Sequence, residues 1–385
     1  MQQHFDAVVI GAGIHGLCSA WALKRAGLSR VAVFERGSLQ HDQGSSHGTS
    51  RITRSTYVDA AYVRLMQTAH HTAWPALSED LNETLITPRA MCLFGPKHGP
   101  VERYHQAVMS AGAPVSRLDG DAARRRFPDF HFNDDTIVLD DPTAGVIAAE
   151  RTISGLIAWL KDAGVKFFVG TEIAALKDLQ SAIQLTSLNE RYEADHCVVT
   201  AGAWTARLLP VAKPRLTPIR QTVGYFELLG TQGEQRARDL PVWVYVGPEQ
   251  NDVFYGLPAF GRPGIKIGQH ITAGRASDPD GNREVAPEHI ENIRVFAERV
   301  FGGSVGECVG SETCLYTNTA TEDIIWDLHP ESDRIAIGAG FSGHGFKFGP
   351  LSGQILADLA LHGTSDLPAF RNERDRFRLT SNPTA

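Results

Sequence analysis

Four apolar residues, Ala7-Val8-Val9-Ile10, run straight into Gly11-Ala12-Gly13-Ile14-His15-Gly16. An apolar-periodic segment through Leu17, Ala20, Trp21, Leu23 and Lys24 follows and is stopped by Gly27. Val31 to Phe34 is a second apolar run, closed by Glu35. This order predicts a buried strand, a tight turn, a helix and a second strand, which commits the chain to a sheet with helices on its face. The glycines have the spacing G-x-G-x-x-G. Gly11 makes the turn, Gly13 admits a pyrophosphate to the backbone, and Gly16 lets helix and strand pack. Glu35 stands about 20 residues further on, where a carboxylate takes a ribose diol and repels a 2′-phosphate, so NADP is disfavoured. Ile14, His15 and Arg36 beside these positions are expected nucleotide contacts. The motif by itself fits FAD and NAD alike.

A second glycine-rich stretch lies near the other end. Ile335 to Ile337 reads as a strand, Gly338-Ala339-Gly340-Phe341-Ser342-Gly343-His344-Gly345-Phe346-Lys347 as a loop, and Leu351 to Leu361 as a helix. Its glycines let the backbone approach a ligand, and the helix beyond turns its positive end toward negative charge. Ala194 to Thr200 reads as a strand closing on Ala201-Gly202-Ala203-Trp204, another close backbone approach. Between Gly44 and Arg54 small residues dominate. Arg51 and Arg54 are three apart, so on a helical turn they would share a face.

The segment from Ala60 to Leu81 reads as one helix, kinked or split by Pro75. Short strands at 85–88 and 90–94 and a helix over 101–111 open a second pattern. Gly145 to Ala163 reads as a helix and Val165 to Val169 as a strand. Strands separated by turn residues prevail from Pro218 to Tyr316, with a helix from Pro287 to Phe301. The expected fold is α/β plus α+β. A Rossmann-like domain is drawn from 1–82, 140–215 and 315–375, and a second, antiparallel-sheet substrate domain from 83–139 and 216–314.

Bulk properties exclude several classes. The net charge of −7 and scattered basic residues give no footprint for nucleic acid. No apolar run reaches membrane-spanning length. Met1 to Asp6 shows no charged leader, and Ser381 to Ala385 no address signal. Five cysteines without a CxxC pair argue against a disulfide framework, so a reducing cytoplasm is expected.

Gly340-Phe341-Ser342-Gly343-His344-Gly345-Phe346-Lys347-Phe348 resembles the corresponding loop of the monomeric sarcosine oxidase family, which includes N-methyltryptophan oxidase. Cys314-Leu315-Tyr316-Thr317 resembles that family's cysteine site, and Ser46-His47-Gly48-Thr49-Ser50-Arg51-Ile52-Thr53-Arg54 its flavin-contacting loop. Phe254-Tyr255-Gly256 and Ile265-Lys266-Ile267-Gly268-Gln269-His270 resemble its substrate-pocket strands. The likeness spans Asp6 to about Gly363. Family members often carry His-His-Gly-Asp-Thr-Arg where this chain has Ser46 to Arg51, and some have an aromatic residue at Gln269.

The resemblance implies FAD as cofactor, a monomer, and oxidation of a secondary amine bearing a carboxylate. Hydride leaves the carbon beside nitrogen for flavin N5, the imine hydrolyses, and O2 becomes H2O2. An FAD dehydrogenase using another acceptor, or an oxidase of glycated (fructosyl) amino acids, would share the framework. Arg54 and Lys347 are expected to grip the carboxylate, the arginine as a fork and the lysine as a point charge. Cys314 is expected to carry the flavin covalently through its 8α-methyl group. Its pKa should be lowered by Arg51 and His47 nearby. Lys266 is expected to assist oxygen reduction, His270 to orient the amine or take a proton, and Tyr255 to line the pocket. Ser46, His47, Ser50, Arg51, Ala201, Gly202, Trp204 and Gly340 to Lys347 complete the expected flavin contacts. No single strong base stands out, so the field of two cations is expected to lower the amine's pKa. The loops 247–252 and 261–264 are expected to set side-chain specificity.

Overall fold

The computed structural model describes residues 3–272 and 274–380, so Met1, Gln2 and Ser381 to Ala385, part of the leader and address readings, lie outside it. Gln3–Ile10 lies inside an eight-stranded sheet. It pairs in parallel with Val31–Glu35 on one side and with Arg191–Val199 on the other. Ser332–Ala339 adds a further parallel strand beside Arg191–Val199. The carboxyl ends of these four strands therefore lie side by side, and each leads into one of the loops singled out above: Gly11, Glu35, Ala201 and Gly340. Ligands of open parallel sheets bind at that edge.

Two helices, Ile14–Arg25 and Gly349–His362, pack against each other on this sheet. Glycine makes the contact close: a Cβ on Gly353 would lie 2.4 Å from the backbone carbonyl of Cys18, and one on Gly349 2.5 Å from Ile14. Cys18, Cys92 and Cys197 are buried core residues, as expected of small apolar thiols.

The second sheet also has eight strands, in the order 305–318, 217–228, 265–269, 253–257, 242–246, 91–96, 136–141 and 116–119. Every neighbouring pair is antiparallel except Val242–Val246 with Met91–Pro96, which run parallel. The sheet is thus mixed at the seam where two separate excursions of the chain meet, since no hairpin joins them. Pro287–Phe301 packs beneath it, with Phe296 stacked on Phe254 at 3.8 Å.

Two local readings need correction, and a third, the helix split near Pro75, is sharpened. Gly145–Ala148 is a strand, and the helix begins only at Ala149. The strand pairs with Ser50–Thr53 and Ile86–Pro88, and a Cβ on Gly145 would meet the Thr87 carbonyl oxygen at 2.7 Å. The Ala60–Leu81 segment stays helical past Pro75: a π-helical turn, Ala69–Ala73, joins Ala60–Thr68 to Trp74–Leu81. The wide turn ends just before the proline, where the chain lacks an amide donor. Finally, Ser50–Thr53 is a strand and no helical turn, so Arg51 and Arg54 are aimed by different means.

Candidate active site

At the nucleotide end the backbone does most of the binding-site construction. Gly11 has φ +102°, and a Cβ there would sit 2.5 Å from the Thr200 carbonyl oxygen. A Cβ on Gly16 would strike the Gly11 oxygen at 1.8 Å, so Gly16 serves helix–strand packing and lies behind the cavity wall. Glu35, at the end of its strand, accepts from the Ala12 amide (2.9 Å) and the Gly37 amide (2.8 Å). Burial pushes its carboxyl up, but the His41 ring and these two amides outweigh burial and hold the pKa below the usual range. Ser46 Oγ accepts from the Ile14 amide (3.0 Å) at the helix start. Arg36 lies over the Trp204 ring (4.7 Å), and both side chains bond Asp280, the arginine at 3.1 Å and the indole at 2.8 Å.

At the other end, three strands of the second sheet present alternate residues to one cavity. The period of two puts Glu312, Cys314 and Tyr316 on one face of 305–318, while Lys266, Gly268 and His270 follow the same spacing on and just beyond 265–269. Tyr255 is opposite Gly268 in register, and the missing side chain leaves room for its ring: a Cβ there would be 2.7 Å from the phenol oxygen. Tyr255 and Tyr316 meet hydroxyl to hydroxyl at 3.3 Å. Burial pushes the Tyr255 phenol up to about 12.

Arg51 binds the preceding loop to its strand, donating to the carbonyls of Ser45 (2.9 Å) and His47 (2.6 Å). It also lies over the Phe346 ring at 5.5 Å. Arg54, just past the strand, stacks over Tyr57 with its guanidinium carbon 4.4 Å from the ring centroid. Lys347 Nζ is 5.7 Å from the same centroid and donates to the His344 carbonyl (2.9 Å). Trp74 anchors this turn by donating its indole N–H to the Lys347 carbonyl (2.7 Å). Two segments nearly 300 residues apart in sequence therefore place two cations around one tyrosine. Arg54 Nη1 is buried without a hydrogen-bond partner, and Lys347 is only 7 % exposed. Burial, then the charges of Arg54 and Arg51, push the Lys347 amine well below its ordinary pKa.

Lys266 is 6 % exposed, and burial together with Arg51 brings its amine down to about 7 despite Glu312 nearby. Glu312 is bonded to Arg262 and accepts from the Tyr225 hydroxyl (3.1 Å). Cys314 departs from expectation. Arg51 and Lys266 do lower its pKa, but burial is the larger effect and the thiol is pushed up overall. His47, which burial brings down to about 4, is neutral at pH 7 and adds no cationic field.

The cavity these elements enclose has a volume of about 900 Å3 and runs continuously from Glu35 to Lys347. Every residue expected at the site lines it, apart from Gly16. His15 Nδ1, His47 Nε2 and Arg54 Nη1 on its wall are buried polar atoms without partners. Its two ends match a dinucleotide with a large planar head: glycine edges and Glu35 at one, aromatic, thiol and cationic groups at the other. The residues present therefore fit FAD. Loop 247–251 forms part of the wall, whereas residues 261–264 do not. Arg262 turns away to Glu312, and Gly261 packs on Thr49.

Among the lining residues that the sequence reading did not single out as site residues, four matter most to the chemistry. Tyr316 and Glu312 were available from the alternation around Cys314. Tyr57 and Glu322 carry no such signal, because only the fold brings them here. Glu322 Oε1 lies 2.9 Å from His270 Nε2, and its backbone oxygen is 3.0 Å from His344 Nε2.

The chain matches the family described as FAD dependent oxidoreductase over residues 6–359. It is 32% identical to monomeric sarcosine oxidase from Bacillus sp. (strain B-0618), with 95% of this chain and 94% of that protein covered. It is 33% identical to peroxisomal sarcosine oxidase from Mus musculus, with 96% of each covered. Among solved structures, NikD, an unusual amino acid oxidase essential for nikkomycin biosynthesis, superposes with a TM-score of 0.82 at 21% identity, covering 98% of this chain and 97% of that one.

Proposed function

Because this chain belongs to the family of FAD-dependent oxidoreductases and is an amine oxidase within it, we propose that it oxidises the C–N bond of an N-methyl or cyclic secondary amino acid, with O2 as acceptor and H2O2 as product. The observation that carries this reading is a pair of cations without a direct ion-pair partner. Arg54, half-buried with an unbonded Nη1, and Lys347, buried, both lie over the Tyr57 ring, and neither forms an ion pair with a carboxylate among the described residues. Two desolvated positive charges are costly unless an anion joins them. A substrate carboxylate supplies that anion, bound by the arginine fork and the lysine point charge. The grip holds the rest of the substrate against Tyr57, Tyr255 and Tyr316, with its reacting carbon in a fixed place.

FAD would be held by Gly11 and Gly13 at its pyrophosphate, by Glu35 at its ribose, and by Arg51 and the 340–347 loop at its ring system. When bound, it supplies the two-electron acceptance that removes hydride from the carbon next to nitrogen and delivers the electrons to oxygen. Lys266 contributes a buried cation to stabilise charge developing during oxygen reduction. Cys314 would carry the covalent link. Burial pushes its thiol up, while the neighbouring charges of Arg51 and Lys266 favour the thiolate that attachment needs. The protein acts as a monomer in the cytoplasm.

The test is anaerobic. Loss of flavin absorbance on adding sarcosine, pipecolate or another secondary amino acid is expected, with H2O2 released once air is admitted. Failure of every secondary amino acid to bleach the flavin would overturn the reading. Reduction without peroxide would move it to a dehydrogenase. Acid-precipitated protein is expected to stay yellow, and Cys314→Ala to release the colour into the supernatant.

A further inference from the structure

The substrate end has a negative pole as well as a positive one. Its acids differ in how they are neutralised. Asp59 and Asp323 are both held by Arg376, and Glu312 by Arg262. Glu322 has no arginine ion pair among the described residues: its partner is His270, at 2.9 Å. The side chain keeps 43 % of its surface accessible, and the residue lines the cavity.

Its placement is enforced. Glu322 sits in the tight connection between strands 305–318 and 325–329, with φ +61°, a setting that favours glycine or asparagine. Its amide donates to the Thr319 carbonyl (3.3 Å). Its own carbonyl is tied to the His344 ring, and His344 in turn to the Tyr57 hydroxyl (3.3 Å). A side chain is thus fixed on a backbone that would be relieved by having none.

The charges around it come from three elements. His270 extends from strand 265–269, His344 from the glycine loop, and Arg54 from the end of strand 50–53. Burial raises the Glu322 carboxyl, but the His270 hydrogen bond and the Arg54 charge help to outweigh it and hold it below the usual carboxylate range. Burial, with a smaller contribution from Glu322, pushes up the phenols of Tyr57 and Tyr104. Glu322 and its partner His270 thus line the same cavity as Arg54, Tyr57 and Lys347, which gives one pocket both an anion and a pair of cations, the two charges a zwitterion presents.

We propose that Glu322 is the specificity-determining anion of this pocket: it recognises the positively charged nitrogen of an amino-acid substrate and positions the His270 ring beside it. The inference rests on the amino-acid reading above. With Nε2 donating to Glu322, Nδ1 of His270 is left as the proton acceptor of the pair. A protonated substrate amine can then pass its proton to Nδ1, which leaves a neutral amine with its lone pair and an imidazolium paired to Glu322.

The test compares two ligands of one shape on the yellow holoenzyme, read as a perturbation of the flavin spectrum. Trimethylammonioacetate carries the charge, and 3,3-dimethylbutanoate replaces the nitrogen by carbon. The unaltered protein is expected to prefer the cationic ligand by about tenfold or more, and Glu322→Gln to lose that preference while binding the neutral acid within about twofold of before. His270→Asn is expected to keep the preference and instead slow flavin reduction by a secondary amino acid. Equal weakening of both ligands by Glu322→Gln, or an unchanged preference, would overturn the proposal alone. Binding of neither ligand to the unaltered protein would overturn the amino-acid reading and this inference with it.

Discussion

The two ends of the cavity are built on opposite principles. At the nucleotide end, Glu35 is buried but satisfied by two amides and His41, and the Ile14 amide meets Ser46. At the substrate end Arg54 keeps a buried, unbonded nitrogen, and Lys347 and Lys266 are buried cations held below their ordinary pKa. A buried charge that finds its partners within the chain stabilises the fold. One that does not is costly until a ligand supplies the partner. The difference teaches that removing a charge should have opposite effects on stability at the two ends.

The largest effect is expected at the proposed carboxylate grip of Arg54 and Lys347. Lys347→Met is expected to cut kcat/KM for an amino-acid substrate by about a thousandfold, since it removes one partner of a desolvated charge pair. It should also raise the melting temperature of the ligand-free protein, because an uncompensated cation is gone. A melting temperature that falls would break the comparison.

Lys266 comes next. Its pKa drops from 10.5 to about 7 on folding, so the unfolded chain binds more protons between those values and stability rises with pH across that window. Below about 7 the lysine is charged in both states, and its burial costs a few kcal/mol at about 1.4 kcal/mol per pKa unit. Lys266→Met should therefore stabilise the flavin-free protein most at pH 6, with the gain shrinking toward pH 10. Denaturant titrations at the two pH values measure this.

The smallest effect lies at the nucleotide end and has the other sign. Glu35→Gln retains the shape but weakens the bonds from the Ala12 and Gly37 amides and from His41, so a loss of about 1–2 kcal/mol is expected. Its carboxyl is held low in the folded state, so this contribution is present above the unfolded pKa of about 4.5 and is lost as pH falls through the folded value. A variant difference that persists unchanged at pH 3 would contradict this account of Glu35.

The same contrast decides what could be read from the chain alone. The nucleotide end was legible because its geometry is written within 35 residues: Gly11, Gly13, Gly16 and Glu35 are related by spacing along one strand–helix–strand unit. The Arg54–Lys347 meeting was expected only through the resemblance, since nothing in the spacing of two segments so far apart fixes their distance. Glu322 and Tyr57 were missed because they reach the cavity through the connection after strand 305–318 and the loop after strand 50–53. The short strands 173–178 and 183–187 escaped notice for another reason: they form a hairpin whose exposed face interrupts the apolar pattern. Gly145–Ala148 was absorbed into the following helix because four apolar residues fit either period.

The grip itself is tested most directly by the ratio of kcat/KM for a secondary amino acid to that for the amine formed by removing its carboxylate. The account predicts that the acid exceeds the amine by about a thousandfold in the unaltered protein, and that Lys347→Met collapses the ratio by slowing the acid alone. A decarboxylated amine oxidised as fast as its parent acid would contradict it.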